Sequence, residues 1–294
     1  MQASEMHRPV RDRAIHHRRV TIDGINLFYR EAGAPDAPVL VLLHGFPSSS
    51  VMYAGLMAQL AEHYRLIAPD YPGFGHSDAP DPATFVYTFD RLAHFTQRFI
   101  DALDIERYAL YLQDYGGPIG MRIALAHPER VSALIVQNAV MHEEGLSGAW
   151  ALRRRFWQDR AEHYEAVRQA MLSPEGARQR HLAGVVDPAR IDPETWTSEY
   201  AFLTRPGMDR IQMELVYDYR SNVDAYPRWQ AYLREHRPPT LVVCGKNDPL
   251  FTVEGALAIG REVPDAEVHL LNASHFALDE KCELIAALIQ RFLT

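Results

Sequence analysis

Apolar residues fall along the chain in two alternating patterns. Short runs dense in Val, Leu, Ile and Tyr recur at "INLFYREAG" (25–33), "PVLVLLHG" (38–45), "YRLIAPD" (64–70), "YALYLQD" (108–114), "VSALIVQN" (131–138), "TLVVCG" (240–245) and "EVHLLNA" (267–273). Several are continuous rather than alternating, as expected of strands buried on both faces. Between many of them, apolar positions recur at helical spacing: 52–62, 90–103, 117–127, 253–262 and 278–293. Strands that alternate with helices predict a mostly parallel sheet covered on both sides, the α/β class.

The stretch 142–237 breaks this rhythm. It contains "GLSGAWALRRRFWQDRAEHYEAVRQAML", "IDPETWTSEYAFL" and "DRIQMELVYDYRSNVDAYPRWQAYLREH", all helical in period and rich in Arg and aromatic residues. We therefore expect one core domain built from 20–141 and 238–294, an all-helical insertion at 142–237, and an N-terminal extension at 1–19. "RRR" at 153–155 reads as a solvated helix face, because Arg is rarely buried.

Composition narrows the class further. Hydrophobic residues make up 47% and charged residues 23%, enough apolar matter to enclose a dry cavity. A net charge of −8 argues against nucleic acid as a partner, since phosphate binding needs a basic surface. Cys244 and Cys282 lack metal or redox spacing. No apolar run approaches a membrane span, and 1–19 has no signal-peptide core, so a cytoplasmic protein is expected, monomeric or homodimeric. No motif calls for a metal or a cofactor. "PGFGHS" (72–77) lacks the third Gly of a dinucleotide turn, and "HEEG" (142–145) lacks the second His of a zinc helix.

In open α/β sheets ligands gather at the carboxyl ends of the strands. Those ends carry "HGFPSSS" (44–50), "PDYPGFGHSD" (69–78), Asp114 in "QDYGG", "KNDP" (246–249) and "ASHF" (273–276). An isolated Asp before two Gly residues is ordinarily a helix cap. Here Asp114, Asp248 and His275 follow one another in the order nucleophile, acid, base.

On these residues the chain resembles an α/β-hydrolase from about residue 20 to 294. The likeness is carried by His44-Gly45-Phe46-Pro47, the stretch Asp70 to Ser77, the elbow Gln113 to Gly117, Asp248 and His275. Asp at the elbow together with "HGFP" resembles the epoxide hydrolases and the haloalkane and haloacid (fluoroacetate-type) dehalogenases. The resemblance implies an eight-stranded, mostly parallel sheet flanked by helices, with a helical cap inserted after the sixth strand. It also implies a cofactor-independent enzyme in which Asp114 forms an alkyl ester and His275, oriented by Asp248, activates water to hydrolyse it. The backbone N–H groups of Phe46 and Tyr115 are then the expected oxyanion hole.

A carboxylate is a poor reagent for acyl transfer and suits displacement at a saturated carbon. An epoxide oxygen leaves as an alkoxide and needs a proton donor, for which a phenol is suited. Tyr219, followed by Arg220, resembles the cap tyrosine of epoxide hydrolases; Tyr164 and Tyr200 are candidates for a second. Trp157 stands near the position of a halide-binding Trp in the fluoroacetate-type enzymes. Tyr115 and Phe46 stand where haloalkane dehalogenases usually carry Trp and Asn. Tyr115 and Pro118 occupy the region where haloacid enzymes place carboxylate-holding Arg. These departures rank an epoxide hydrolase first, acting on a small, mainly apolar substrate and water, and a dehalogenase second. A non-catalytic ligand-binding protein of the same fold is the alternative from another class.

Overall fold

The computed structural model describes residues 13–294. Eight strands form one sheet: β1 (His16–Ile22), β2 (Ile25–Ala32), β3 (Val39–Leu43), β4 (Arg65–Pro69), β5 (Tyr108–Gln113), β6 (Val131–Gln137), β7 (Thr240–Gly245) and β8 (Glu267–Leu271). Their spatial order is β1-β2-β4-β3-β5-β6-β7-β8. Only β1–β2 and β2–β4 pair antiparallel; from β4 onward every neighbour is parallel.

The helices packed on the sheet are α1 (Ala54–Leu60), α2 (Phe89–Ala102), α3 (Gly116–Ala126), α10 (Val253–Glu262) and α11 (Ala277–Phe292). Successive strand residues point to opposite faces. Val41 and Leu43 join the apolar cluster under α2, α3 and α10, while Leu40 and Leu42 join the one under α1 and α11. Burial on both faces explains why "VLVLL" reads as an unbroken apolar run.

Between β6 and β7 the chain forms six further helices, α4 (Ala151–Gln158), α5 (Arg160–Leu172), α6 (Pro174–Leu182), α7 (Glu194–Leu203), α8 (Met208–Asp218) and α9 (Arg220–His236). Local caps punctuate them. Asp159 accepts a hydrogen bond from Glu162 N and starts α5, and Ser173 accepts one from Gly176 N and starts α6.

The N-terminal extension expected over 1–19 is corrected in part, because residues 16–19 belong to β1. "HHRRVTI" pairs with β2 from His16↔Glu31 to Ile22↔Ile25. As an antiparallel edge strand it is largely exposed and polar, so it lacks the apolar run that marks the inner strands. Residues 1–12 lie outside the described residues. Among the described residues no helix is long and apolar enough to cross a membrane.

Candidate active site

The turn between β5 and α3 places Asp114 at a left-handed φ of 47°, a conformation that costs a non-Gly residue energy and is held by its surroundings. Gly116 lets the helix approach the sheet: a Cβ there would lie 1.9 Å from the Leu43 carbonyl oxygen. A Cβ on Gly45 would strike the Gln113 and Asp114 side chains. The turn therefore presses Asp114 against the loop after β3. In that loop the Phe46–Pro47 peptide is cis, and Tyr71 Oη donates to the His44 carbonyl at 3.0 Å. Asp70 braces the same region by accepting from Ser50 N at 2.7 Å and His76 N at 2.8 Å.

These contacts sort the two Asp114 oxygens. Oδ1 accepts the Phe46 N–H at 2.7 Å. Oδ2 lies 3.8 Å from His275 Nε2, beyond a direct hydrogen bond. His275 Nδ1 donates to Asp248 Oδ2 at 2.7 Å. Asp248 is itself fixed: Asn138 Nδ2 donates to Oδ2 at 2.8 Å and Leu250 N to Oδ1 at 2.7 Å. The structure thus brings Asp114, His275 and Asp248 together at the ends of three strands, with the Tyr115 backbone in the elbow and the Phe46 backbone facing it from the loop after β3.

Burial pushes the Asp114 carboxyl above its ordinary range, while His275 and the Phe46 and Tyr115 N–H groups pull it down. For His275, burial disfavours the imidazolium, but Asp248, helped by Asp114, outweighs it and raises the pKa. The imidazole environment also contains Gln113, whose Nε2 lies 3.2 Å from His275 Nε2. Its Oε1 is buried without a partner. A turned amide would let that oxygen accept the Nε2 proton of an imidazolium, so Gln113 suits both protonation states.

A narrow cavity opens over Asp114. Its walls include Phe46, Tyr115, Trp150, Met171, Val216, Tyr219 and Leu250, together with Arg153 and Arg180. Tyr219, at the junction of α8 and α9, is 2% exposed. Burial raises its pKa well above the usual phenol value, so it carries its proton at neutral pH.

The other cap residues differ from expectation. Trp157 does not line the cavity: its Nε1–H donates to the Val216 carbonyl at 2.9 Å, and its ring stacks behind Tyr219 at 6.1 Å. A halide-binding role is therefore corrected to a supporting one, because the indole N–H is already engaged. Trp150 does face the cavity, but its Nε1–H donates to the Leu250 carbonyl at 3.0 Å. Neither Tyr164 nor Tyr200 reaches the cavity; Tyr164 packs beside Phe156 at 6.2 Å, and Tyr200 is half-buried on α7. The second phenol at the wall is Tyr115.

Sequence reasoning missed Arg153, Arg180 and Asn138. Arg153 is not part of a solvated face: its guanidinium lies 4.9 Å from the Trp150 ring centroid and lines the cavity. The spacing 150, 153, 157 on one helical face, flanked by two Trp residues, was the available signal. Arg153 and Arg180 thus set two cations among walls that are otherwise mainly aromatic and aliphatic. Asn138 directly follows β6, one of the strand ends where site residues collect, and in the sequence it is marked only by that position.

Comparison with known proteins agrees with this architecture. Residues 38–281 match the α/β hydrolase fold family. The chain is 36% identical over 274 residues to an uncharacterized hydrolase of Saccharomyces cerevisiae, covering 92% of this chain and 94% of that protein. It is 28% identical over 279 residues to haloalkane dehalogenase 2 of Mycobacterium tuberculosis, covering 87% and 88%. The solved haloalkane dehalogenase DbeA from Bradyrhizobium elkani superposes with a TM-score of 0.79 at 22% identity, covering 95% of this chain and 99% of that one. The protein belongs to the α/β-hydrolase superfamily, on the branch that carries Asp at the elbow. It is a hydrolase by family.

Proposed function

We propose that this hydrolase opens epoxides through an alkyl ester of Asp114, beneath a cap formed by α4 to α9. The observation that carries this reading is the arrangement around the carboxylate. Oδ1 is held by the Phe46 N–H, Oδ2 lies 3.8 Å from His275, and the protonated Tyr219 phenol lines the same cavity.

Asp114 Oδ2 attacks a ring carbon, the C–O bond breaks, and Tyr219 delivers its proton to the departing oxygen. The resulting ester is neutral, so Asp114 no longer holds a proton on His275. The imidazole then accepts a proton from water, and the hydroxide adds to Asp114 Cγ. The charge that develops on Oδ1 is met by the Phe46 and Tyr115 N–H groups. Collapse releases the diol, whose alkoxide takes the His275 proton, and leaves Asp114 as the acid; Asp114 loses that proton to solvent and the Tyr219 phenolate regains one, which restores the starting state.

Displacement of halide is the second reading, and the likeness to haloalkane dehalogenases favours it. Against it, the indole N–H groups of Trp150 and Trp157 are donated to backbone carbonyls and are not free to clamp a halide. Intact-mass analysis of the His275→Gln protein separates the two. With an epoxide panel, an adduct equal to the whole substrate is expected. An adduct equal to an alkyl halide less HX, with no adduct from any epoxide, would overturn the first reading in favour of the second.

A further inference from the structure

Two guanidinium groups face the Asp114 cavity without a carboxylate committed to either. Arg153 comes from α4 and Arg180 from α6. Arg153 Nη1 makes a long 3.3 Å contact with the Ala149 carbonyl, and Arg180 Nη2 donates to the Met171 carbonyl at 2.8 Å. Neither forms an ion pair among the described residues, and Arg180 Nη1 is buried with no partner. The charged groups that face them are few. Asp114 faces both, the two repel each other, and Glu199 faces Arg180 but is paired with His181 at 2.9 Å. Burial lowers both guanidinium pKa values, that of Arg180 to about 10, which leaves Arg180 charged at neutral pH.

The cavity thus sets two half-buried cations against one fixed anion, Asp114. Charge drawn partly out of water without a partner is unfavourable, most of all at the buried Arg180 Nη1, and a ligand that brings the missing charge relieves it. We propose that Arg153 and Arg180 form an anion subsite and that the substrate is a small epoxide bearing a carboxylate next to the ring. This narrows the epoxide-opening reading above and rests on it.

Position supports the assignment. Arg180 lies 4.7 Å from the ring centroid of Phe46, whose N–H holds Asp114. Arg153 lies over Trp150, whose ring is 4.5 Å from that of Tyr219. The cations therefore border the space between nucleophile and phenol. Both cations line the same cavity as Asp114 and Tyr219, so carboxylate and epoxide must be close neighbours in the substrate. An anionic substrate would otherwise be repelled by the Asp114 carboxylate at this range, and the guanidinium pair offsets that repulsion. The carboxylate takes no part in bond making: epoxide and water give a 2,3-dihydroxy acid.

The test compares glycidate with glycidamide, its neutral near-isostere. The wild-type kcat/KM should favour glycidate by about tenfold or more, the scale of a charge-assisted hydrogen bond. In Arg153→Gln and in Arg180→Gln that ratio should collapse, chiefly through a higher KM for glycidate. Equal or preferred use of glycidamide by the wild type would overturn the subsite, and this comparison needs no variant to fold. If neither of these nor any other epoxide of the panel labels the His275→Gln protein, the epoxide reading falls instead. Calorimetric titration then decides the subsite on its own. Wild-type binding of propanoate but not propanamide, weakened in each Arg variant, upholds it; no propanoate binding overturns it.

Discussion

His181 should make the attachment of the cap to the core depend on pH. It lies in the last turn of α6, and its Nε2 lies 2.9 Å from Glu199 on α7, while Nδ1 lies 3.2 Å from Asp279 on α11. Its ring stacks on Phe276 at 4.1 Å, directly after His275. Burial alone would disfavour the imidazolium, yet Glu199 and Asp279 together raise its pKa from the ordinary 6.5 to about 9. A rise of that size corresponds to about 3 kcal/mol. Because the folded value lies above the unfolded one, this stabilisation is fully present below pH 6.5 and is lost as pH rises through about 9. The perturbation is His181→Gln, which keeps a polar side chain and removes the titration. Urea unfolding of both proteins from pH 6 to 10 gives the difference in stability at each pH. Other groups that titrate in both proteins cancel in that difference. The advantage of the wild type should shrink by about 3 kcal/mol across the range. A difference that stays flat with pH would refute the buried ion pair as the source of the stabilisation.

Three further outcomes follow from the site. Tyr219→Phe should slow formation of the ester from an epoxide by about a hundredfold or more, the usual worth of a general acid, while hydrolysis of a preformed ester changes little; rapid-quench mass analysis resolves the two steps. Asn138→Asp keeps the shape of the residue that donates to Asp248 but sets like charge against it. It should slow ester hydrolysis about tenfold or more, seen as accumulated adduct during turnover. Asp114 helps to hold the proton on His275, so in Asp114→Asn the His275 pKa should fall, as followed by NMR of the imidazole protons. An unchanged value would mean that forming the ester does not release the base.

The parts of the site that the sequence made legible are those fixed by local structure. A buried parallel strand is a short apolar run, and the residue just past its end is placed by the strand itself, so Asp114, Asp248 and His275 could be found and ordered. The edge strand β1 escaped because its exposed side chains are polar and its register is set by β2. The cap interior was hidden for another reason. Which residues of α4 and α6 face inward depends on how those helices rotate against the core, and helical period alone did not choose between Arg153 facing water and Arg153 facing Asp114. Trp157 shows the converse: an indole near the expected position, with its N–H captured by the Val216 carbonyl. Only the packed structure decides which donors remain free.

The covalent role of Asp114 is tested most directly with heavy-oxygen water. Wild-type enzyme in molar excess over an epoxide substrate is allowed one turnover in that solvent, and the product and the peptide containing Asp114 are weighed. The first diol should carry no solvent oxygen, and the Asp114 carboxylate should gain one. Label in the first diol, with Asp114 unlabelled, would mean that water attacks the substrate directly and would contradict the carboxylate mechanism.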